Sequence, residues 1–165
     1  MNIETLLLKP NGFVPNHPAL PVIVYRQALI VPEGLAAAFE AEFARNGWQH
    51  VWRNGIYNYH HYHTKAHEAL GIAGGKARVA LGGQGAQLVD VSAGDCLLLP
   101  AGTGHCRLSA TADFLVIGAY PPGQTADMKT DAPSEADLTA IRDCALPDTD
   151  PVTAGAGTLN RLWRM

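Results

Sequence analysis

Positive charge is scarce in this chain. Of 165 residues only 12 are Lys or Arg, against 15 Asp or Glu, for a formal net charge of −3. No basic run occurs anywhere, so a nucleic-acid surface has no electrostatic support. Charged residues of both signs amount to 16%, below the roughly 25% of an ordinary globular protein. Apolar types reach 47%, which excludes a disordered segment. Cysteine is sparser still: Cys96, Cys106 and Cys144 stand far apart, without a CxxC spacing. That count argues against a disulfide framework and suits a reducing compartment. A thiol ligand at Cys106 is the less favoured reading, since free cysteines are mostly buried as small apolar residues. No stretch approaches the roughly 20 apolar residues of a membrane span. Met1-Asn2-Ile3-Glu4 and Thr5 to Leu8 lack the basic and apolar regions of a secretion signal. The expectation is a cytoplasmic protein with no membrane or nucleic-acid partner. Its length suits one domain over residues 1–165.

Turn-formers, by contrast, are plentiful. The 17 glycines and 11 prolines together exceed the roughly 12% average and favour short strands over long helices. Pro10, Pro15, Pro18 and Pro21 precede the run Val22-Ile23-Val24-Tyr25, which reads as an extended arm ending in an edge strand. One helix is expected at about 32–46, with Pro32 at its start, Leu35, Phe39 and Phe43 along one face, and Gly47 as the stop. From Trp48 the period becomes two. Expected strands are 48–52, 56–63 after the Asn54-Gly55 turn, 68–73, 76–81, 86–91, 96–99, 105–109 and 113–119. Such spacing signals a β-sandwich or barrel. After Pro121-Pro122-Gly123 the chain reads as loop, with a short helix at 134–144 capped by Ser134. The tail Leu159–Met165 is apolar enough to return and cover the barrel.

Histidine carries the chemistry. His60, His61, His63 and His67 crowd together, and His105 follows some forty residues later. On a strand, residues i and i+2 share a face about 6.6 Å apart. His61 and His63 can therefore lean onto one ion with bonds near 2.1 Å. Counting by the same parity, Glu68 goes with Leu70 and Ile72, and His67 with Ala69 and Gly71. Glu68 is the better inward donor on this pattern and His67 the alternative. His105 is delivered by Pro100-Ala101-Gly102-Thr103-Gly104. Three imidazoles and a carboxylate suit Fe, Mn, Ni or Zn and do not suit Ca or Mg. Tyr57 and Tyr59 share the His61 parity and are candidates for the pocket mouth or for aromatic core filling. Arg107 shares the His105 face. It is a candidate for neutralising a substrate carboxylate, with an exposed rim position as the other reading. His60, on the opposite parity, is expected at the surface or at a subunit contact.

These residues fall into two spaced motifs. The first is Gly55, five residues, His61-Tyr62-His63, four residues, Glu68, six residues, Gly75. The second is Gly94, five residues, Pro100-Ala101-Gly102, two residues, His105, three residues, Ser109. In both the chain resembles the cupin superfamily, departing only at Ser109, where the family pattern has Asn. The resemblance implies an all-β fold: a double-stranded β-helix, or jelly-roll, barrel over about 48–120. An arm and flanking helix (1–47) would precede it and an irregular extension (121–165) follow it. It implies that His61, His63, Glu68 and His105 hold one divalent transition metal ion. The function expected is that of a mononuclear metalloenzyme acting on a small organic molecule, foremost an O2-dependent dioxygenase. The alternatives are a non-redox metal-dependent isomerase and a non-catalytic small-ligand-binding protein. The extended arm further suggests a homodimer, with the arm laid across a neighbour's sheet.

Overall fold

Alternating side chains that are buried on both sides of a sheet need a layer on each face, and the chain supplies both. A computed structural model describes residues 1–153, 155 and 157–164. Among them are β1 (Asn2–Leu6), β2 (Val22–Arg26), α1 (Leu35–Arg45), β3 (Gln49–Asn54), β4 (Glu68–Gly74), β5 (Lys76–Leu81) and β6 (Gln87–Ser92). Then follow β7 (Cys96–Leu99), β8 (His105–Ala110), β9 (Leu115–Tyr120), α2 (Glu135–Asp143) and α3 (Gly157–Trp163). The larger sheet has the order β1-β2-β7-β4-β9-β3 and the smaller one β6-β5-β8. Every pairing is antiparallel. The architecture is an all-β jelly-roll barrel.

One apolar cluster fills the space between the sheets. Val22, Val24, Leu70, Ile72, Leu97, Leu99 and Val116 of the larger sheet meet Val79, Leu81, Val89 and Val91 of the smaller one. The intervening residues Ile23, Tyr25, Ala69, Cys96, Leu98, Ile117 and Ala119 face the opposite way. They are covered by Phe39 and Phe43 of α1, by Trp48, and by Leu159 and Trp163 of α3. Full burial of such a side chain stabilises by roughly 1.5–3 kcal/mol, so the helical layer is integral to the larger sheet. α1 lies tight against β4 because Gly71 has no side chain: a Cβ there would sit 2.5 Å from the Phe39 ring. Trp163 pins α3 by donating its indole N–H to Pro21 O at 2.9 Å.

Several expectations need correction. α1 begins at Leu35, because Gly34 takes the left-handed conformation (φ 71°) at its N-cap. β2 is not an edge strand: β1, which the sequence pattern did not signal, covers its free side. The first residues of the arm thus lie on their own chain's sheet. Residues 56–63 form no strand, and β3 pairs with β9 instead of turning back at Asn54-Gly55. The short helix expected at 134–144 is α2, with Ser134 and Asp137 forming a capping box. The tail returns as expected, but onto the outer face of the larger sheet; its last residue, Met165, lies outside the described residues.

Candidate metal centre

Residues 56–63 lack a ladder, yet their alternation survives because two flanking segments grip them. His61 and His105 exchange both backbone hydrogen bonds, at 3.3 and 2.9 Å. Gly102 N donates to His63 O at 2.7 Å. On the other side Tyr62 exchanges two bonds of 3.0 Å with Lys129. His61 and His63 are thereby turned one way and Tyr62 the other. His105 opens β8 straight after the Pro100–Gly104 loop. Gly102 makes that loop possible: its φ is +87°, and a Cβ would meet Asn16 O and Ile141 at 3.0 Å.

The three imidazoles converge. Ring centroids are 4.0 Å apart for His61–His105, 5.3 Å for His63–His105 and 5.7 Å for His61–His63. One donor atom from each lies within 4.8 Å of the others, and all three residues are buried. Their tautomers follow from their partners. His61 Nδ1 faces Tyr59 O at 2.9 Å, His105 Nδ1 faces Thr103 O at 3.0 Å, and His63 Nδ1 faces Asp127 O. A carbonyl only accepts, so each Nδ1 carries a proton; the Nε2 atoms of His61 and His105 keep their lone pairs, while that of His63 faces the Glu68 carboxylate. This is how protein ligands to a metal are commonly oriented.

Glu68, the first residue of β4, is buried beside them. Its Oε2 lies 2.6 Å from His63 Nε2, an ion pair when that imidazole is protonated, and has no other polar partner among the described residues. A buried carboxylate oxygen so placed suits a cation. Glu68 adjoins the imidazole group through His63; it is not among the mutually close donors. Burial pushes the pKa of His61 down and that of His105 well down. At His63 burial acts the same way, but the Glu68 charge outweighs it and raises the pKa to about 9.

A cavity of about 350 Å³ opens over this group. Tyr57 lines it, while Tyr59 stacks on Tyr57 at 5.1 Å; both are half exposed and stand 5.5 Å from the His61 ring. Arg107 lines a separate surface groove with Leu108 and Phe114, so it does not join the site. His67 is also kept apart. It faces outward by strand parity, accepts a hydrogen bond from Ala101 N at 2.9 Å, and rests on Trp163.

Trp52, Tyr120, Asp127 and Met128 are among the other lining residues and were not anticipated. Leu70 pairs with Gly118, so Tyr120, two residues on, shares the inward face; that parity was a usable signal. Asp127 had none, because it lies in the extension read as loop. Its carboxylate accepts from Thr64 N at 2.7 Å and Thr64 Oγ1 at 2.6 Å. This clamp holds its own carbonyl against His63 Nδ1.

Two facing antiparallel sheets, with both histidine motifs meeting in the cavity between them, define a cupin. No family model matches the chain. It is 38% identical over 162 residues to the uncharacterized protein YjlB of Bacillus subtilis (strain 168), covering 97% of this chain and 96% of that protein. The chain belongs to the same family as YjlB. Among solved structures it is similar to two mutants of oxalate decarboxylase from Bacillus subtilis, at 15% and 16% identity. Both give a TM-score of 0.39 and match 74% and 73% of this chain, which spans 30% of their length. Likeness at that level carries no information about chemistry. No helix among the described residues is long and apolar enough to cross a membrane.

Proposed function

We propose that His61, His63, His105 and Glu68 hold one divalent transition metal ion in a mononuclear enzyme acting on a small organic molecule as an O2-dependent dioxygenase. One observation carries the reading. Three backbone carbonyls bind the Nδ1 protons, so the three Nε2 atoms are the donors left to share one small volume, that of His63 facing Glu68. Glu68 Oε2, buried beside them and paired only with His63 Nε2, supports a fourth donor. Imidazole and carboxylate together suit Fe, Mn, Ni or Zn. A bound redox-active ion would supply the electron transfer and the exchangeable positions that O2 chemistry needs. The chain supplies the rest. Ile56, Leu70 and Met128 keep the cavity wall apolar, and Tyr57 with Tyr59 narrows the approach to His61.

A second reading, a non-redox isomerase, draws on the place of Glu68. Because this carboxylate adjoins only His63, three imidazoles suffice for the ion and Glu68 is left to take a proton from a substrate carbon.

The test is anaerobic reconstitution with Fe(II), since zinc out-competes iron in such sites during expression. Iron content is measured for the unmodified protein, His61→Ala and Glu68→Ala, followed by O2 uptake against a panel of small metabolites. Stoichiometric iron with substrate-dependent O2 uptake, lost in both variants, is expected. Full iron in His61→Ala overturns the ligand set. Full iron with lost turnover in Glu68→Ala selects the proton-transfer role. Tight metal without any turnover selects the ligand-binding alternative.

A further inference from the structure

Across the β3–β9 ladder, Trp52 stands opposite Gly118. A Cβ on Gly118 would fall 2.0 Å from Trp52 Cε2, so the indole lies against bare backbone. Seated there, Trp52 donates its Nε1–H to Tyr120 Oη at 2.9 Å. An indole nitrogen only donates, and a phenol has a single proton. The bond therefore occupies a lone pair of Oη and turns the phenol proton elsewhere. Among the described residues Oη makes no second hydrogen bond, although the Glu68 carboxylate acts on it from the same cavity, and both side chains line the cavity over the imidazoles. The charges of the lining matter too. Besides histidine, its one cationic side chain is Arg53, which Glu40 holds by two bonds of 3.0 and 2.6 Å. Away from the imidazole group, no free cationic side chain among the described residues of the lining awaits a carboxylate on the body of a ligand, and about 350 Å³ lies at the small end of ligand pockets.

We propose that Tyr120, oriented by Trp52 over Gly118, donates its free hydrogen bond to an oxygen of the substrate. The substrate class is a small molecule with an uncharged body and at least two oxygen atoms, one for Tyr120 and one for the metal. The second oxygen rests on the metal reading of the site; the Tyr120 contact does not. Tyr120 is then a residue that selects the substrate, and Trp52 is a positioning residue that acts through it.

Catechol serves as the probe, titrated calorimetrically into the zinc-loaded and the chelator-stripped protein. Tyr120→Phe is expected to keep its zinc and to bind catechol about tenfold more weakly, the worth of one hydrogen bond. Trp52→Phe keeps a ring over Gly118 without the N–H and is expected to weaken binding about threefold. The double variant should bind no more weakly than Tyr120→Phe, a non-additivity that a merely structural tryptophan would not give. 3,4-Dihydroxybenzoate should bind less tightly than catechol. Equal catechol affinity in Tyr120→Phe and the unmodified protein overturns the proposal, as does the absence of catechol binding in both metal states. Tighter binding of the benzoate overturns the uncharged body. Zinc content separates the two readings. If the unmodified protein takes up none, the metal site falls, while a Tyr120→Phe deficit in the stripped protein still upholds the phenol contact.

Discussion

Two groups of buried histidines in this molecule are wired in opposite senses. Inside the barrel, His61, His63 and His105 turn Nδ1 toward carbonyl oxygens and Nε2 toward one another and Glu68. On the far side of the larger sheet, His67 Nδ1 accepts from Ala101 N, and His17 Nδ1 accepts from Ala19 N and Leu20 N. In that second group Nδ1 holds the lone pair and Nε2 the proton. His67 Nε2 lies near the Cys144 and Ala145 backbone without an aligned acceptor. The backbone partner, more than burial or residue type, thus decides which histidines can bind a cation. The outer pair serves assembly: His67 ties the start of β4 to the loop that delivers His105.

The largest test of this contrast exchanges the two outcomes. His61→Ala and His105→Ala should lose metal by elemental analysis while unfolding at nearly the temperature of the metal-free parent. His67→Ala should keep the metal and lose about 2–4 kcal/mol of stability in denaturant titration, from a cavity plus a broken buried hydrogen bond. Metal loss in His67→Ala with stability intact would reverse the assignment.

Acid should act on the two groups differently. Burial, with each other's charge added at His67, holds the pKa of His17 and of His67 down at about 4. The unfolded chain takes up these protons below about 6.5, before the folded one does. Stability should therefore fall as pH drops from about 6.5 to about 4, with His67 contributing on the order of 3 kcal/mol. His63 has the opposite sign. Its pKa, raised to about 9 by Glu68 against burial, gives the metal-free protein stability that is complete below about 6.5 and lost as pH rises toward 9. Melting temperatures across pH 4–9, for the metal-free protein and for His67→Gln, check both slopes; His67→Gln should flatten only the acid one.

Much of the barrel was legible, because β4 to β9 alternate over a period of two and are punctuated by glycine; β5 and β7 match their expected bounds. The spacing also brought His61, His63, Glu68 and His105 to one cavity. Less legible were segments whose partners are remote. Residues 56–63 have strand-like composition, but Lys129 and the Pro100–His105 region hold them by isolated bridges. β1 is too exposed to show an apolar stripe, and Asp127 acquires its role only when the extension folds back. Parity separated Glu68 from His67, but for Arg107 it left the pocket and an exposed rim equally open, and the side chain lines another groove.

The smallest effect distinguishes the two faces through glycine. Gly71 and Gly118 sit in adjacent strands of one sheet and each admits an aromatic ring, Phe39 outside and Trp52 inside. Phe39 is fully buried between α1 and β4, whereas Trp52 is only partly buried. A methyl on Gly71 has no room to displace its ring, so Gly71→Ala should cost about 1–3 kcal/mol through overpacking and leave the cavity chemistry unchanged. A methyl on Gly118 can push the indole toward solvent. Gly118→Ala should therefore cost less stability than Gly71→Ala, yet weaken catechol binding much as Trp52→Phe does, since the indole N–H no longer reaches Tyr120. Chemical denaturation and calorimetry on the same two variants decide it. Equal stability losses, or catechol affinity untouched by Gly118→Ala, would show that the inner glycine merely fills space as the outer one does.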